Sequence, residues 1–337
     1  MNNTDPKIKT TVVGSYPVPT WLVALPSEQA LIDATRAVIG TQETAGLDVV
    51  CDGELYRFDI NHPETNGMIE YFTRPMGGIR NEATFEEVIA YRSQEGMGFR
   101  TKPPGVVEMA IDHGTLDLPY AATRAHKLAN KPLKFTLTGP HMLAKTLVNK
   151  HYDDVPAMTM AIAKVLAEQV KHIDAEIVQL DEANLPGHPE EWEWAAEAIN
   201  LVLDAVKTTP AVHLCFGNYA GQSVQGGNWD NLIKYLNALH VDHIVMENAH
   251  RPIEELAVLK ELRPEIGLGL GVVDIKINQV ESAGEIAKAL EDADKLLGTG
   301  RITYINPDCG FWMLPRNVAD GKIAALVAGR DLYEGRG

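Results

Sequence analysis

Residues 211–218, AVHLCFGN, place His213 and Cys215 one residue apart at the end of an apolar run. Side chains at positions i and i+2 of a strand face the same side, so an imidazole and a thiol would meet there. The same spacing is also compatible with two half-buried residues that simply pack. What the neighbouring strands bring to the same place decides between these interpretations.

Two other short apolar runs end in residues that bind metal ions. The run HIVMENA carries Glu247, and the run ITYINPDCG carries Cys309. With the first pair they provide two sulfurs, one imidazole and one carboxylate, a donor set that suits tetrahedral zinc. Charged residues are rarely buried without partners, which argues against chance. We therefore predict a Zn²⁺ site formed by His213, Cys215, Glu247 and Cys309.

A metal with these ligands suits the activation of a thiol. A free thiol has a pKa near 8.5, so only a small fraction is thiolate at neutral pH. Coordination to zinc deprotonates a thiol outright. Two cysteinates and one glutamate outweigh the charge of the ion, which would keep a bound substrate sulfur nucleophilic. A site with four protein ligands is also compatible with a purely structural role.

The elements that must position these residues alternate between short strands and longer helices. The strands are rich in Val, Ile and Leu with little polar alternation, which is typical of strands buried on both faces of a parallel sheet. Eight β-then-α units predict an α/β fold of the (β/α)₈ TIM-barrel type, with function at the C-terminal strand ends. The predicted strands are 8–17, 48–54, 133–140, 176–183, 211–218, 243–249, 266–274 and 302–310. The predicted helices are 28–46, 155–174, 189–207, 229–240, 253–262, 282–297 and 316–329.

One long interval, residues 55–130, separates the second predicted strand from the third. A long excursion after the C-terminal end of a strand lies over the barrel mouth, where lids and substrate-binding elements sit. We predict an insertion within a single catalytic domain that spans residues 1–337. A solvated lid without specific contacts is the alternative. Candidate contacts to a second substrate in this interval are Arg57, Asn61, His62, Tyr71 and Arg74.

Composition narrows the functional classes. The formal net charge of −16 argues against a nucleic-acid or anionic-membrane partner, because both require basic patches. No apolar run approaches the roughly 18 residues of a membrane span, and the N-terminus lacks a signal-peptide core. Three cysteines do not suggest a disulfide framework, and Cys51 is expected in the core. We therefore expect a cytoplasmic protein.

Taken together, the strand-end motifs resemble the C-terminal catalytic barrel of the cobalamin-independent methionine synthase family. The resemblance reaches all eight predicted strands and leaves out only the 55–130 interval. It implies a zinc-dependent transfer of a methyl group to the sulfur of homocysteine, which yields methionine. It also implies the short core type that lacks the family's N-terminal barrel. The matching segments are TTVVGSYP, CDGE, TLTGP, VQLDEANLPG, VHLCFGN, VMENA, GLGVVDIK and INPDCGF.

The resemblance also implies roles for individual residues. The four residues proposed above correspond to the zinc ligands of the family. Gly14 and Ser15 match the motif that holds the carboxylate end of the amino acid, and Glu54 and Asp181 match the carboxylates that hold its ammonium group. The chemistry agrees, because an ammonium group needs acidic acceptors and a carboxylate suits backbone N–H groups at a glycine turn.

The chain departs from the folate-dependent members of the family. Where those read DIH, with a proton-donating histidine, this chain reads DIK, with Asp274 and Lys276. Both are candidate catalytic residues. Lysine has a pKa near 10.4, so Lys276 acts as an acid only if burial lowers that value; otherwise it is a fixed positive charge. A tryptophan expected after TLTGP is also missing. We expect methylcobalamin or a corrinoid protein as the methyl donor rather than methyltetrahydrofolate.

Two other functions stay open. Epoxyalkane:coenzyme M transferase is also similar, with a lysine in the same stretch, and alkylates a different small thiol. Glu54 and Asp181 argue against it, because an acceptor without an ammonium group has no use for them. A non-catalytic barrel that binds an amino acid or stores zinc is the other possibility. A glycosidase dyad of Asp181 and Glu182 is excluded, because adjacent strand residues face opposite sides.

Overall fold

The strands and helices were assigned in a computed structural model, which describes residues 7–57, 59, 62, 65–94, 100–217 and 226–336. The strands, numbered β1 to β10 in chain order, are Lys9–Thr10, Gly77–Arg80, Val106–Asp112, Lys134–Thr138, Val148–Asn149, Ile177–Glu182, Thr209–Leu214, His243–Met246, Gly267–Val273 and Ile302–Pro307. The α-helices, α1 to α11, are Thr20–Ala24, Glu28–Ala45, Glu70–Thr73, Phe85–Arg92, Leu118–His126, Pro140–Thr146, Val155–Val170, Trp192–Leu203, Ile233–Ala238, Ala283–Leu297 and Arg316–Tyr333. The 3₁₀ segments are Leu55–Arg57, Leu185–Gly187, Pro189–Glu191, Trp229–Leu232 and Ile253–Glu261.

Seven of the strands form one curled parallel sheet in the spatial order β1, β10, β9, β8, β7, β6 and β4. The eighth position belongs to the segment around Val50, which forms a single parallel bridge with Leu133. On its other side, the Asp48 N–H donates to the Thr10 carbonyl at 3.1 Å. This segment links the two edges of the sheet, so the predicted TIM barrel is confirmed.

The best-predicted helices carry local capping signals. α2 begins after Ser27, whose hydroxyl accepts an N–H bond from the first turn, and ends at Gly46 with φ of 93°. α10 begins with a capping box in which Ser282 and Glu285 satisfy each other's backbone N–H groups. These side chains bond the N–H groups that the first helical turn leaves free. The predicted ends of both helices therefore agree with the structure to within one residue.

The sequence overestimates regular structure next to the site. Only Lys9–Thr10 of the predicted strand 8–17 pairs regularly with its neighbour. Further along, the chain turns toward the mouth, where the Tyr16 N–H donates to the Gly53 carbonyl at 3.0 Å and the Phe311 N–H to the Ser15 carbonyl at 2.8 Å. The predicted helix 253–262 is a 3₁₀ segment instead.

The interval 55–130 contains secondary structure that the sequence did not predict. β2 pairs antiparallel with β3, and β3 pairs parallel with β5, so the three form a small sheet separate from the barrel. α5, from the same interval, packs beside α7, where the Leu118 N–H donates to the Gln169 side chain at 2.8 Å. Among the described residues, no helix is both long enough and apolar enough to span a bilayer.

Candidate functional site

Three of the four predicted metal ligands lie together at one end of the barrel. One ligand atom each of His213, Cys215 and Cys309 lies within 4.8 Å of the other two. His213 is near the C-terminal end of β7, Cys215 directly follows that strand, and Cys309 follows β10. The parallel sheet brings these strand ends to the same mouth, as the sequence predicted.

The two ring nitrogens of His213 have different surroundings. Its Nδ1 lies 3.0 Å from the Val245 carbonyl, to which an N–H there donates. Its Nε2 is buried and has no hydrogen-bond partner. A buried nitrogen without a partner is uncommon and needs an explanation, of which a bound ion is one. Because the proton is fixed on Nδ1, the Nε2 lone pair is available to a metal ion.

The charges of the three groups depend on one another. Contact with the Cys215 thiol holds the pKa of Cys309 well below its ordinary value, and the same contact, with burial, holds the pKa of Cys215 well above it. Burial lowers the pKa of His213, but the nearby Cys309 raises it overall. The protein groups thus stabilise one anionic sulfur by themselves. A divalent cation would stabilise both, so the donor set fits such an ion.

The fourth predicted ligand, Glu247, lies beside this cluster but not within it. Its carboxylate faces three basic groups, His250 Nε2 at 3.6 Å, Arg251 Nη1 at 3.5 Å and Lys276 Nζ at 3.9 Å. Burial raises the pKa of Glu247, and Lys276 opposes that effect. The structure therefore brings three predicted ligands together and sets Glu247 among cations.

A cavity of about 140 Å³ opens next to the three ligands. It is lined by three of the predicted substrate-binding residues as well as by the ligands themselves. Gly14, Glu247, Asp274 and Lys276 do not line it. The predicted residues on its wall are Ser15, Glu54, Asp181, His213, Cys215 and Cys309.

Glu54 is held in an uncommon backbone conformation. Its φ is 60°, and no other described non-glycine residue has a positive φ. Such a conformation costs on the order of 1 kcal/mol or more, so it persists where the surroundings fix it. Here the carboxylate accepts from the Thr136 hydroxyl at 2.5 Å and lies 3.2 Å from Arg57 Nη1.

Steric crowding explains why residue 14 is a glycine. A Cβ at this position would overlap the carboxylate of Glu54, so glycine lets that carboxylate lie against the backbone of residue 14. Gly310 makes room for the Ser15 hydroxyl in the same way. Gly14 therefore lies against Glu54, and Ser15 lies against Gly310.

Asp181 is the penultimate residue of β6 and is paired in register with His213 on β7. Burial raises the pKa of Asp181 to about 7, with His213 opposing the rise and Glu54 adding to it. The Gln179 side chain donates to the carboxylate at 2.7 Å. A cation bound in the cavity would favour the ionised form of both carboxylates.

The predicted catalytic residues lie outside the cavity, next to Glu247. The Lys276 N–H donates to the Asp274 carboxylate at 2.8 Å, and Lys276 Nζ lies 2.7 Å from His250 Nε2. His250 Nδ1 in turn lies 2.7 Å from Asp308 Oδ2. The sequence analysis missed His250. The available signal was its place three residues after Glu247, on the same strand-end loop.

The candidate contacts in the 55–130 interval have different surroundings. Arg57 is buried against Glu54, Arg74 Nη1 lies 3.3 Å from Asp59, and His62 is exposed. Asn61 lies outside the described residues. A second cavity, of about 610 Å³, is lined by residues that include Arg57, Tyr71 and Arg74. The residues of this interval that reach the smaller cavity are Asn66, Met68, Ile69 and Arg100.

A family model described as "Cobalamin-independent synthase, Catalytic domain" matches residues 8–329. The chain belongs to this family. The match includes every residue of the candidate site. As a member of the cobalamin-independent synthase family, the chain is an enzyme of the methionine synthase kind.

Similar proteins extend over almost the entire chain. A protein of Pyrococcus horikoshii named methionine synthase is 30% identical over 350 aligned residues, covering 97% of this chain and 93% of its own. A protein of the same name from Thermococcus kodakarensis is 30% identical, with coverage of 97% and 94%. A solved structure of a B12-independent methionine synthase from Shewanella sp. W3-18-1, in complex with selenomethionine, superposes with a TM-score of 0.79 at 23% identity, covering 97% and 98% of the two chains. The last comparison supports the barrel fold.

Proposed function

We propose that this chain is a zinc-dependent methyltransferase that methylates the sulfur of homocysteine to give methionine. The observation that carries the proposal is the buried, unpartnered Nε2 of His213 beside two cysteine sulfurs, in a cavity whose wall also includes Glu54 and Asp181. The sulfurs and the imidazole suit zinc, and the carboxylates suit an amino-acid ammonium group.

In this proposal His213, Cys215 and Cys309 hold zinc, and Glu247 is the fourth ligand. Zinc, when bound, would keep the substrate thiol in its thiolate form at neutral pH. The protein fixes the His213 tautomer through the Val245 carbonyl. Glu247 now faces three basic groups at 3.5–3.9 Å, so its carboxylate would have to turn from them to bind the ion.

Glu54 and Asp181 would bind the ammonium group of homocysteine, and Gly14 with Ser15 would bind its carboxylate. Both acidic side chains line the cavity and each already has a neutral donor, Thr136 for Glu54 and Gln179 for Asp181. These neutral donors orient the two carboxylates, and Glu54 is also paired with Arg57 at 3.2 Å. A cavity of about 140 Å³ suits an acceptor the size of one amino acid.

The methyl donor would approach from outside this small cavity. Trp312 lines its rim and is half exposed to solvent. A large donor such as methylcobalamin or a corrinoid protein fits an approach across the mouth. Lys276, with Asp274 bonded to its backbone N–H, would supply a positive charge on that side. We further propose that residues 1–337 act as one catalytic domain, with part of the 55–130 interval over the mouth.

Zinc-edge X-ray absorption of the purified protein, with and without homocysteine, tests the proposal. We expect a shell of two sulfurs and lighter atoms that gains one sulfur when homocysteine is added. The Cys309→Ala protein is the matched control and is expected to retain little bound zinc, so its zinc-edge signal should fall. If the zinc shell does not change when homocysteine is added, homocysteine is not the methyl acceptor or the metal is structural.

Epoxyalkane:coenzyme M transferase-like chemistry is the second candidate, because Lys276 lies beside Glu247 as a ready cation. Its thiol, 2-mercaptoethanesulfonate, has no ammonium group. Adding it in the same absorption experiment separates the candidates. Of the two thiols, only homocysteine should add a sulfur to the zinc shell of the wild-type protein. Replacing Glu54 with Gln should weaken the binding of homocysteine and leave that of the other thiol unchanged.

A further inference from the structure

His250 connects three strand ends on the side of the mouth where Glu247 lies. It is on the loop after β8, and its ring lies between Asp308, after β10, and Lys276, after β9. The function proposed above gives this histidine no part. Its contacts nevertheless determine where the amino group of Lys276 stands.

Asp308 fixes the ring of His250. The Asp308 carboxylate is 1% exposed, and one of its oxygens accepts from the N–H groups of Asn248 at 2.7 Å and Ala249 at 2.8 Å. Its other oxygen lies 2.7 Å from His250 Nδ1. An ionised carboxylate only accepts, so Nδ1 is the donor. Nε2 points away from Asp308, and in the neutral ring it is an acceptor.

That acceptor meets Lys276. The distance from His250 Nε2 to Lys276 Nζ is 2.7 Å, and a hydrogen bond of this length requires one donor and one acceptor. An ammonium group has only donors, so Lys276 donates to His250. A free lysine side chain is flexible, whereas this one is held with Nζ 3.9 Å from Glu247 Oε2.

We propose that His250 is a positioning residue that fixes the amino group of Lys276 beside Glu247 at the mouth. The catalytic consequence rests on the proposed function. Without His250 the lysine would spread over several rotamers, and the fraction with its charge in the productive position would fall. His250 itself does not line the substrate cavity.

A double-mutant cycle tests the proposal with three variants: His250→Leu, Lys276→Met and the two combined. The assay is methylation of homocysteine with methylcobalamin as the donor probe. We expect His250→Leu to lower kcat by roughly 10- to 100-fold with the homocysteine KM unchanged. In the Lys276→Met background the same change should have no further effect, because His250 acts through Lys276. Additive losses would overturn the proposal.

Two more variants separate positioning from general damage. His250→Gln offers an amide oxygen near the position of Nε2 and should recover most of kcat. His240→Leu loses an exposed contact of similar length, His240 Nδ1 to Asp204 at 2.8 Å, just before the N-terminal end of β8, and should leave kcat unchanged. Failure of His250→Gln to recover activity, with normal zinc content, counts against the hydrogen bond to Lys276.

The contact can also be measured without methyl transfer. The wild-type protein and the three variants of the double-mutant cycle are unfolded in urea, and the shifts of the unfolding midpoint are compared. Non-additive shifts are expected if His250 and Lys276 bond directly. If the shifts are non-additive but no protein methylates homocysteine, the proposed function is wrong and the contact is real. If the shifts are additive, the positioning proposal is wrong whatever the activity.

Discussion

The two ends of the barrel each bury a histidine with an unpartnered Nε2. His213 is near the C-terminal end of β7, and His243 begins the adjacent strand, β8, at the opposite end. The Nδ1 of His243 lies 2.9 Å from Asp242, and its ring stacks on Tyr304 with a centroid distance of 4.2 Å. By burial and by the missing partner alone, the two residues are alike.

Their neighbours make the difference. His213 faces two sulfurs within 4.8 Å, whereas His243 faces an aromatic ring and feels the positive charges of Lys134 and Lys9. Three donors that suit a metal ion converge at the first place, whereas the second has one carboxylate neighbour, Asp242, and two nearby lysines. An orphaned nitrogen therefore indicates a metal site only where other donors converge on it, and in this fold they converge at the C-terminal strand ends.

The largest effect is expected from removing a sulfur from the proposed metal site. Cys309→Ala should reduce zinc affinity by at least about 100-fold and abolish methyl transfer, because a coordinating thiolate is lost. His243→Phe keeps the stacked ring and should retain full zinc content. Metal analysis after dialysis against a chelator measures both. Equal zinc loss in the two variants would contradict the conclusion that only the end of the barrel with His213 binds the metal.

The carboxylates of the cavity should give the next effect. Glu54→Gln and Asp181→Asn each remove a charged acceptor for the ammonium group, worth about 2 kcal/mol, so the homocysteine KM should rise by roughly 10- to 100-fold. The KM of a thiol without an ammonium group should stay the same. Steady-state kinetics with both thiols provides the comparison, and an equal rise for both would exclude the assigned role.

Gly14→Ala should act through Glu54. The added methyl group would displace the Glu54 carboxylate, so we expect the homocysteine KM to rise by about tenfold with unchanged zinc content. Gly40→Ala, within α2 and with open space around the new methyl group, is the control. If both variants behave like the wild type, Glu54 has room to move and the close approach does not matter.

The remaining effect concerns stability and pH rather than activity, and amounts to about 1.4 kcal/mol for each unit by which a pKa changes on folding. At the mouth, burial lowers the pKa of His141, but Glu182 and Glu191 raise it to about 9. Its contribution to the free energy of unfolding is complete below about pH 6.5 and is lost as pH rises through 9. His141→Gln should therefore flatten the alkaline side of the stability profile in urea titrations.

His243 should show the opposite sign. Burial lowers its pKa, so the unfolded chain binds a proton more readily and stability falls as pH drops below about 6.5. His243→Phe should flatten the acidic side of the same profile and leave the alkaline side unchanged. A profile altered on the alkaline side would show that the two ends are not independent.

The sequence predicted the barrel and most of the donor set because both depend on strand order. Buried parallel strands place their last residues at one mouth, so His213, Cys215 and Cys309 meet wherever the loops run. Glu247 shows the limit of this logic. Which way its carboxylate turns depends on three basic groups, His250, Arg251 and Lys276, and strand order does not specify rotamers.

His250 was missed for the same reason. Its partners, Lys276 and Asp308, are 26 and 58 residues away and belong to other strands. The small sheet formed by β2, β3 and β5 escaped because β2 carries no alternation of buried and exposed residues; all four are half-buried. Short polar strands of this kind are determined by their partners rather than by their own pattern.

The single bridge at Val50 makes the closure of the barrel its least secured junction. β6 and β7, by comparison, pair over six residues. Amide protons beside Val50 should therefore exchange with solvent sooner than those of the six-residue pair. Glu54 stands four residues beyond this junction, and Asp181 stands two strands away across it. An amino acid held by both would act as a staple over the opening and slow that exchange, so the substrate would help to close the barrel that binds it.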